Sequence, residues 1–144
     1  MAKTIYTAEA NVTGGRAEGH GRTSDGALDL QLRLPEEMGG QGGGTNPEQL
    51  FAVGYAACFE SALGAVARRE RAEVGDVSID SHVSLQPTPE RGFKLAVELD
   101  VTLPEAEDAE AVKLVQAAHH VCPYSNATRG NIEVALTANG QAVG

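Results

Sequence analysis

The two cysteines of this chain are the residues best suited to carry chemistry. Cys58 lies within residues 51–59, an apolar stretch with helical character, and Glu60 is the first charged residue after it. Cys122 opens a polar, turn-forming segment that ends at Gly130. This contrast predicts one buried helical thiol and one loop thiol, a pair suited to redox chemistry. On residue type alone, packing is the commoner role of a buried cysteine.

A catalytic Cys58 would need help to ionise. A free thiol has a pKa near 8.5, so only a few per cent is thiolate at pH 7. Cys58 lies about three turns inside its predicted helix, beyond the reach of the N-terminal dipole. Lowering its pKa by about 2 to 3 takes about 3–4 kcal/mol, which a desolvated guanidinium can supply. Arg16, directly after Gly14-Gly15, and Arg129, directly before Gly130, are the candidate cations.

Glu48 is the candidate partner of such an arginine. A buried guanidinium needs a carboxylate because an unpaired buried charge is costly, and a glutamate can hold it through two parallel hydrogen bonds. Glu48 could equally do no more than complement the dipole of its helix, and Arg16 could be an ordinary loop arginine. The residues alone leave these roles open.

The histidines and glycines do not form a recognisable metal-binding or nucleotide-binding motif. His119, His120 and Cys122 are close in sequence, but the two cysteines and four histidines show none of the paired spacings typical of zinc sites. The glycines at 39–44 lack the Lys-Ser/Thr of a phosphate-binding loop. We therefore expect neither a metal nor a bound cofactor.

Length and charge limit the classes of function. The chain has 144 residues, enough for a single domain spanning 1–144 whose core needs no disulfide. Its formal net charge of −9 argues against nucleic acid and anionic membranes as partners. No run approaches the roughly 18 apolar residues of a membrane span, and the start lacks the apolar segment of a signal peptide. We expect a cytoplasmic protein, where a cysteine pair is more often catalytic or redox-sensing than structural.

The hydrophobic pattern predicts an α+β fold. Alternating apolar residues predict strands, glycine and proline clusters predict turns, and Asn46-Pro47-Glu48 is a strong helix start. Along that helix the small residues Gly54, Ala57, Ser61 and Ala65 form a smooth stripe on which another backbone could pack closely. The predicted elements are strands at 5–12 and 28–34, a mobile glycine loop at 38–44, a helix at 47–69, a hairpin at 77–85 and 93–103, a helix at 104–121, a short helical turn after Pro123 and a last strand at 132–136.

Three segments together resemble a known family. They are residues 13–16 (Thr-Gly-Gly-Arg), residues 44–59 from Gly-Thr-Asn-Pro-Glu to Cys-Phe, and residues 122–131 (Cys-Pro-Tyr-Ser-Asn-Ala-Thr-Arg-Gly-Asn). Their order and composition closely resemble the organic hydroperoxide resistance branch of the Ohr/OsmC family, across nearly the whole chain. The Pro-Tyr-Ser-Asn after Cys122 is more similar to this branch than to its osmotically induced sister branch.

The resemblance implies a fold and an activity. The fold would be OsmC-like, with antiparallel sheets around a central buried helix in an intertwined homodimer. The activity would be that of a peroxidase that reduces organic hydroperoxides. Cys58 would be the peroxidatic nucleophile, Cys122 the resolving thiol, Arg16 the activating guanidinium and Glu48 the carboxylate that orients it. The reductant would be a dihydrolipoyl group carried by a lipoylated protein.

Substrate binding and subunit sharing follow from the predicted helix. We expect Phe51, Tyr55 and Phe59 around Cys58, with Met38 of the glycine loop closing over an alkyl chain. Glu48 and Cys58 are ten residues apart, which corresponds to about 15 Å of helix. Either Arg16 spans much of this distance, or two helices pack antiparallel so that each site draws on both subunits, which we favour. The alternatives are an OsmC-like peroxidase of broader specificity and a redox-sensing or lipid-binding module without turnover.

Overall fold

The structure is a computed structural model that describes residues 2–144. Two compact units divide this chain after Leu50. The prediction of a single domain over 1–144 stays a prediction. The elements are, in order, β1 (Ala10–Thr13), β2 (Glu18–Thr23), β3 (Asp29–Arg33), a single 3-10 turn (Glu36–Met38), α1 (Pro47–Glu70), β4 (Ser78–Pro87), β5 (Phe93–Thr102), α2 (Asp108–Val121), α3 (Pro123–Thr128), β6 (Val134–Ala138) and β7 (Gln141–Val143).

The first unit contains a three-stranded antiparallel sheet in the order β1-β2-β3. The strand predicted at 5–12 is wrong in its first half, because Ile5 and Tyr6 are exposed and β1 begins only at Ala10. Ala10 pairs with Thr23, the last residue of β2, so the residues before it have no strand beside them. The leucine run is likewise shortened to β3, which leaves Leu28 outside.

The second unit contains a four-stranded sheet in the order β4-β5-β6-β7. The predicted hairpin is confirmed, with β4 and β5 paired from Ser78–Thr102 to Pro87–Phe93. The sheet is mixed rather than purely antiparallel, since β6 runs parallel to β5. The crossover through α2 and α3 makes this possible, because parallel neighbours need a long connection.

Strand β7 was not predicted, although a local signal marks it. Asn139-Gly140 joins β6 to β7, and both residues have positive φ angles, 49° and 82°. Asn-Gly is the preferred pair for such two-residue hairpin turns. The Asn139 side chain also accepts a hydrogen bond from the N–H of Leu103 at 2.7 Å and donates to the carbonyl oxygens of Leu103 and Ala106. These bonds hold residues 103–106 as a turn, so α2 begins at Asp108 and not at 104 as predicted.

Helix α1 begins as the sequence predicted. The Asn46 side chain caps it by accepting a hydrogen bond from the N–H of Gln49 at 2.9 Å, and Pro47 is the first helical residue. One face packs into the core of the second unit, where Tyr55, Phe59 and Leu63 are completely buried. Burial of each such side chain stabilises the fold by about 1.5–3 kcal/mol. The opposite face, with Ala57 and Ser61 of the small-residue stripe, is exposed.

Helix α1 also corrects one expectation drawn from composition. It is long and apolar enough, by length and composition alone, to cross a membrane, whereas no such stretch was expected. The core helix of a globular protein passes the same test, and six residues of α1 are buried within the fold. The helix is therefore weak evidence for a membrane span.

Candidate active site

The two cysteine side chains meet in the second unit. The sulfur atom of Cys58, in the middle of α1, lies 3.6 Å from the sulfur atom of Cys122, and both cysteines are free. A disulfide needs a sulfur–sulfur distance of about 2.05 Å, so the two atoms would have to approach by about 1.5 Å. Disulfide formation between them therefore needs a local adjustment and no rearrangement of the fold.

The burial of the two thiols is the reverse of the sequence expectation. Cys122 is completely buried and Cys58 is partly exposed. Cys122 follows the buried face of α2, on which Ala111, Val115 and Ala118 precede it at helical spacing. Its N–H also donates to the carbonyl oxygen of Ala118, so the helical bonding continues into the residue before Pro123. The exposed thiol is thus the helical one, and it is the one that a small molecule can reach.

The surroundings of Cys58 do not favour its thiolate. Burial raises the pKa of the Cys58 thiol, a hydrogen bond from the backbone N–H of Tyr124 opposes this, and the adjacent Cys122 raises it further. None of these influences is a positive charge. A thiolate at Cys58 therefore needs a cation in addition to the groups that now surround it.

Arg129, one of the two candidate cations, is engaged elsewhere. Its guanidinium donates to the carbonyl oxygen of His119 at 2.8 Å and to the side-chain oxygen of Asn126. These bonds tie the end of α2 to α3. Arg129 therefore stabilises the helix ends around Cys122, and these hydrogen bonds do not bring its guanidinium to a cysteine.

Arg16, the other candidate, is paired with Glu48 in the first unit. The guanidinium donates to both carboxylate oxygens, at 2.6 and 3.3 Å, so the contact is bidentate. The hydrogen bond to Glu48 raises the pKa of Arg16, burial opposes this, and the charge of Glu48 adds to the increase. The Arg16 side chain is 38% exposed and that of Glu48 16%. The carboxylate thus fixes a guanidinium that still presents part of its surface.

The backbone before Arg16 explains how the pair forms. Gly14 and Gly15 both have positive φ angles, 77° and 70°, in the turn between β1 and β2. A Cβ atom on Gly14 would lie 2.5 Å from the carbonyl oxygen of Glu18, so a larger residue cannot make this turn unchanged. The turn carries Arg16, and the capped start of α1 carries Glu48.

An aromatic cluster joins α1 to the helix that follows Cys122. Phe51, Tyr55 and Tyr124 form a cluster with ring centroids 5.5–6.0 Å apart. Phe51 and Tyr124 line an open cavity of about 600 Å³ together with Phe93, Leu95 and Ile132. Of the predicted substrate residues, Phe51 reaches this cavity, Tyr55 and Phe59 are completely buried, and Met38 is exposed in the first unit. Their roles in binding stay predictions.

The sequence did not predict Tyr124 as a site residue, although the small Gly54 of α1 marks the place where it packs. A Cβ atom on Gly54 would lie 2.7 Å from the Tyr124 hydroxyl, so the ring of Tyr124 packs directly over this glycine. Gly54 is one helical turn before Cys58, and the N–H of Tyr124 bonds to the Cys58 thiol. The small residue therefore makes room for the segment that follows Cys122.

One group of potential metal ligands lies outside this site. His82, Glu98 and Asp100 offer ligand atoms within 4.8 Å of one another on the polar face of β4 and β5. His119 and His120, which are close to Cys122 in sequence, are not part of this group, and Nδ1 of His119 is within hydrogen-bond distance of the Ser125 hydroxyl oxygen, at 2.8 Å. Exposed acidic groups of this kind are common without a metal, so the expectation of no metal stays a prediction.

Comparisons with known proteins agree over most of the chain. Residues 40–137 match the family described as OsmC-like protein. The chain is 56% identical over 137 residues to the organic hydroperoxide resistance protein of Xanthomonas axonopodis pv. citri, which covers 94% of this chain and 95% of that protein. It is 46% identical over 133 residues to the organic hydroperoxide resistance protein OhrB of Bacillus subtilis, with 92% and 96% covered.

Solved structures show the same similarity. The crystal structure of an organic hydroperoxide resistance protein from Legionella pneumophila superposes with a TM-score of 0.89 at 55% identity. The match covers 94% of this chain and 98% of that one. The structure of OhrB from Bacillus subtilis gives a TM-score of 0.84 at 46% identity, with 93% and 98% covered.

Proposed function

Because this chain belongs to the organic hydroperoxide resistance branch of the OsmC-like family, we propose that it is a cysteine-based peroxidase that reduces organic hydroperoxides to alcohols. The observation that carries the proposal is the pairing of a partly exposed Cys58 with a buried Cys122 at 3.6 Å. Such a pair suits a reaction in which one thiol meets the substrate and the other meets only its neighbour.

The reaction balances with these two thiols and one dithiol reductant. The Cys58 thiolate attacks the distal oxygen of the hydroperoxide, the O–O bond breaks, and the alkoxide takes a proton and leaves as an alcohol. Cys58 is then a sulfenic acid. Cys122 attacks the sulfur of Cys58, a disulfide forms, and the oxygen leaves as water. A dithiol finally returns two electrons through thiol–disulfide exchange and becomes a disulfide itself.

Arg16 would activate Cys58, with Glu48 orienting it. The pKa of Cys58 is raised by its own surroundings, so a cation is the missing element. The bidentate contact with Glu48 fixes the plane of the Arg16 guanidinium before substrate arrives, which reduces the ordering that catalysis requires. We propose that the Arg16–Glu48 pair comes from the partner in an intertwined homodimer, so that each site uses both subunits.

The cavity beside Tyr124 would receive the organic group of the substrate. Its lining is mostly aromatic and aliphatic, and Tyr124 connects it with Cys58 through the backbone N–H. Phe51 would contact the substrate, and the buried Tyr55 and Phe59 would support the helix surface around Cys58. Met38, on its exposed loop, would close over an alkyl chain.

The reductant would be a dihydrolipoyl group of a lipoylated protein, in the cytoplasm. The choice of a lipoyl group as the donor rests on the family alone. The chemistry it requires is a dithiol that can reach the partly exposed Cys58 sulfur of the disulfide, because Cys122 is buried.

A turnover assay tests the proposal. Hydrogen peroxide, tert-butyl hydroperoxide and cumene hydroperoxide are each combined with dihydrolipoamide or with reduced thioredoxin, and alcohol and oxidised donor are measured together. We expect many turnovers with the organic hydroperoxides and dihydrolipoamide. Oxidation that stops after one equivalent with every donor would instead indicate a redox-sensing module, and equal use of all peroxides would indicate a peroxidase of broader specificity.

A further inference from the structure

A chain of buried hydrogen bonds links the three helices that carry or flank the cysteines. The Tyr55 hydroxyl lies 2.8 Å from the hydroxyl oxygen of Ser125 and 3.2 Å from that of Thr128. Ser125 in turn lies 2.8 Å from Nδ1 of His119. Tyr55 and Ser125 are completely buried, so each of their polar atoms needs a partner inside the protein.

The protons of this chain can be assigned by counting donors. The Thr128 hydroxyl donates to the carbonyl oxygen of Tyr124 at 3.0 Å, so it accepts from Tyr55. Tyr55 then accepts from Ser125, and Ser125 accepts from His119. Every contact is satisfied when Nδ1 of His119 carries a proton. If Nδ1 instead accepted from Ser125, one of the two contacts of Tyr55 would be left without a hydrogen.

Three of the hydrogen-bonded residues lie three positions from a cysteine in the sequence. Tyr55 is three residues before Cys58, and His119 and Ser125 are three residues before and after Cys122. The series of hydrogen bonds ends at the carbonyl oxygen of Tyr124. The N–H of the same residue forms a hydrogen bond with the Cys58 thiol. The series therefore fastens the segment around Cys122, on both sides, to the turn of α1 that presents Cys58.

We propose that Tyr55, Ser125 and His119 are positioning residues that hold Cys122 within reach of Cys58, so that disulfide formation outruns further oxidation of Cys58. This inference rests on the proposed peroxidase reaction. A sulfenic acid at Cys58 has two fates, attack by Cys122 or oxidation by a second hydroperoxide to the sulfinic acid. The sulfur–sulfur distance, which the hydroxyl chain maintains, decides between them.

Loss of these hydrogen bonds should change the ratio between disulfide formation and further oxidation of the sulfenic acid, and not the first reaction with hydroperoxide. The first attack on the hydroperoxide does not involve Cys122, so loss of the Ser125 hydroxyl leaves peroxide consumption in the first turnover largely unchanged. Attack by Cys122 on the sulfenic acid needs both cysteine-bearing segments held in place. Loss of the hydrogen bonds between them therefore slows this attack. Loss of fold stability alone would lower the amount of active protein without changing this ratio.

The experiment measures single turnovers of Tyr55→Phe and Ser125→Ala by rapid acid quench, alkylation and mass spectrometry of Cys58. We expect disulfide formation to slow about tenfold and the sulfinic fraction per turnover to rise by a similar factor, with Tyr6→Phe, an exposed tyrosine, as the matched control. His119→Ala should behave like Ser125→Ala. His119→Asn should restore the wild-type ratio, because its side-chain amide can donate where Nδ1 does.

A second measurement does not depend on peroxidase activity. The equilibrium between the Cys58–Cys122 disulfide and a glutathione buffer reports how well the fold holds the two sulfurs together. A tenfold loss in this equilibrium constant corresponds to a potential about 30 mV less negative. We expect this shift in Tyr55→Phe and Ser125→Ala and none in Tyr6→Phe.

The outcomes separate the inference from the function on which it rests. If the wild type consumes no hydroperoxide, the proposed function fails, whereas the glutathione equilibrium still tests the hydroxyl chain. If the wild type turns over and Ser125→Ala gives the wild-type ratio and potential, the positioning role is overturned and the function stands. A His119→Asn variant as impaired as His119→Ala would overturn the proton assignment that the role requires.

Discussion

The sulfur atoms of Cys58 and Cys122 lie 3.6 Å apart although 64 residues separate them in sequence. Cys58 stands on the partly exposed middle of α1, and Cys122 closes the buried face of α2. Only one of the two thiols is thus open to a small molecule. This asymmetry assigns different roles to them if the protein is a peroxidase.

Replacement of each cysteine should therefore stop the reaction at a different stage. We expect Cys58→Ser to consume no organic hydroperoxide above background, because the remaining thiol is buried. Cys122→Ser should consume about one equivalent and then stall as a sulfenic acid that overoxidises with excess hydroperoxide. Peroxide assays and intact mass spectrometry follow both, and full turnover by Cys58→Ser would refute the assignment.

Two glycines of α1 provide a matched test of how closely Tyr124 packs. A Cβ atom on Gly54 would lie 2.7 Å from the Tyr124 hydroxyl, whereas one on Gly64 would meet only the flexible end of Arg68, at 3.3 Å. Glycine to alanine in a helix stabilises a protein by about 0.5–1 kcal/mol where space allows. We expect this gain for Gly64→Ala and its loss for Gly54→Ala, measured by urea unfolding. Equal stability of the two variants would show that Tyr124 does not press on α1.

Local signals in the sequence were sufficient for the helix start and the hairpin. Asn46 and Pro47 act through neighbours a few residues away, and their roles are confirmed by the cap on Gln49. The alternation along β4 and β5 is equally local. Such features can be predicted because the interacting groups are adjacent in sequence.

Some of the features that were missed have local signals, such as the Asn139-Gly140 turn before β7, and others depend on distant parts of the chain. The polar residues after Cys122 suggested a loop thiol, whereas the helical spacing from Ala111 to Ala118 places Cys122 inside. The late start of α2 depends on Asn139, more than thirty residues away. The contact between Tyr55 and Ser125 spans 70 residues. No local pattern encodes these last two contacts, so only the folded chain reveals them.

Substrate preference should follow the apolar cavity beside Tyr124. Each methylene transferred from water into such a cavity contributes about 0.8 kcal/mol, or roughly fourfold in affinity. We expect kcat/KM to increase from hydrogen peroxide to tert-butyl hydroperoxide to cumene hydroperoxide. Phe51→Ala should lower the value for cumene hydroperoxide more than that for hydrogen peroxide, and Leu28→Ala, an exposed residue of the first unit, serves as control. Equal efficiency with hydrogen peroxide and cumene hydroperoxide would contradict this prediction.

His119 should make the stability of the protein depend on pH near neutrality. Burial lowers the pKa of His119, and the positive charges of Arg129 and His120 lower it further. The unfolded chain, with a histidine pKa of about 6.5, binds the proton first as the pH falls. The stability is therefore complete above about pH 6.5 and decreases as the pH falls towards the lower folded pKa.

Urea unfolding at pH 7.5, 6.5 and 5.5 tests this dependence. Wild type should lose more unfolding free energy on acidification than His119→Asn, at equal protein concentration. The Asp25 carboxylate does not interfere, because hydrogen bonds from the Ala27 N–H and the Thr23 hydroxyl lower its pKa, which is already below this range. Parallel stability curves for the two proteins would contradict the prediction.

Mixed dimers should decide whether Glu48 acts on the cysteine of its own chain. Ten residues of helix separate Glu48 from Cys58, which corresponds to about 15 Å, too far for a glutamate to bridge. We expect Cys58→Ser and Glu48→Ala to be inactive alone and to recover activity when they are unfolded and refolded together. In a mixed dimer with shared sites, one site collects both lesions and the other is intact. Random pairing makes about half of the dimers mixed, so about a quarter of wild-type activity should return. If both residues serve a site within one chain, every site keeps a lesion and the mixture stays inactive.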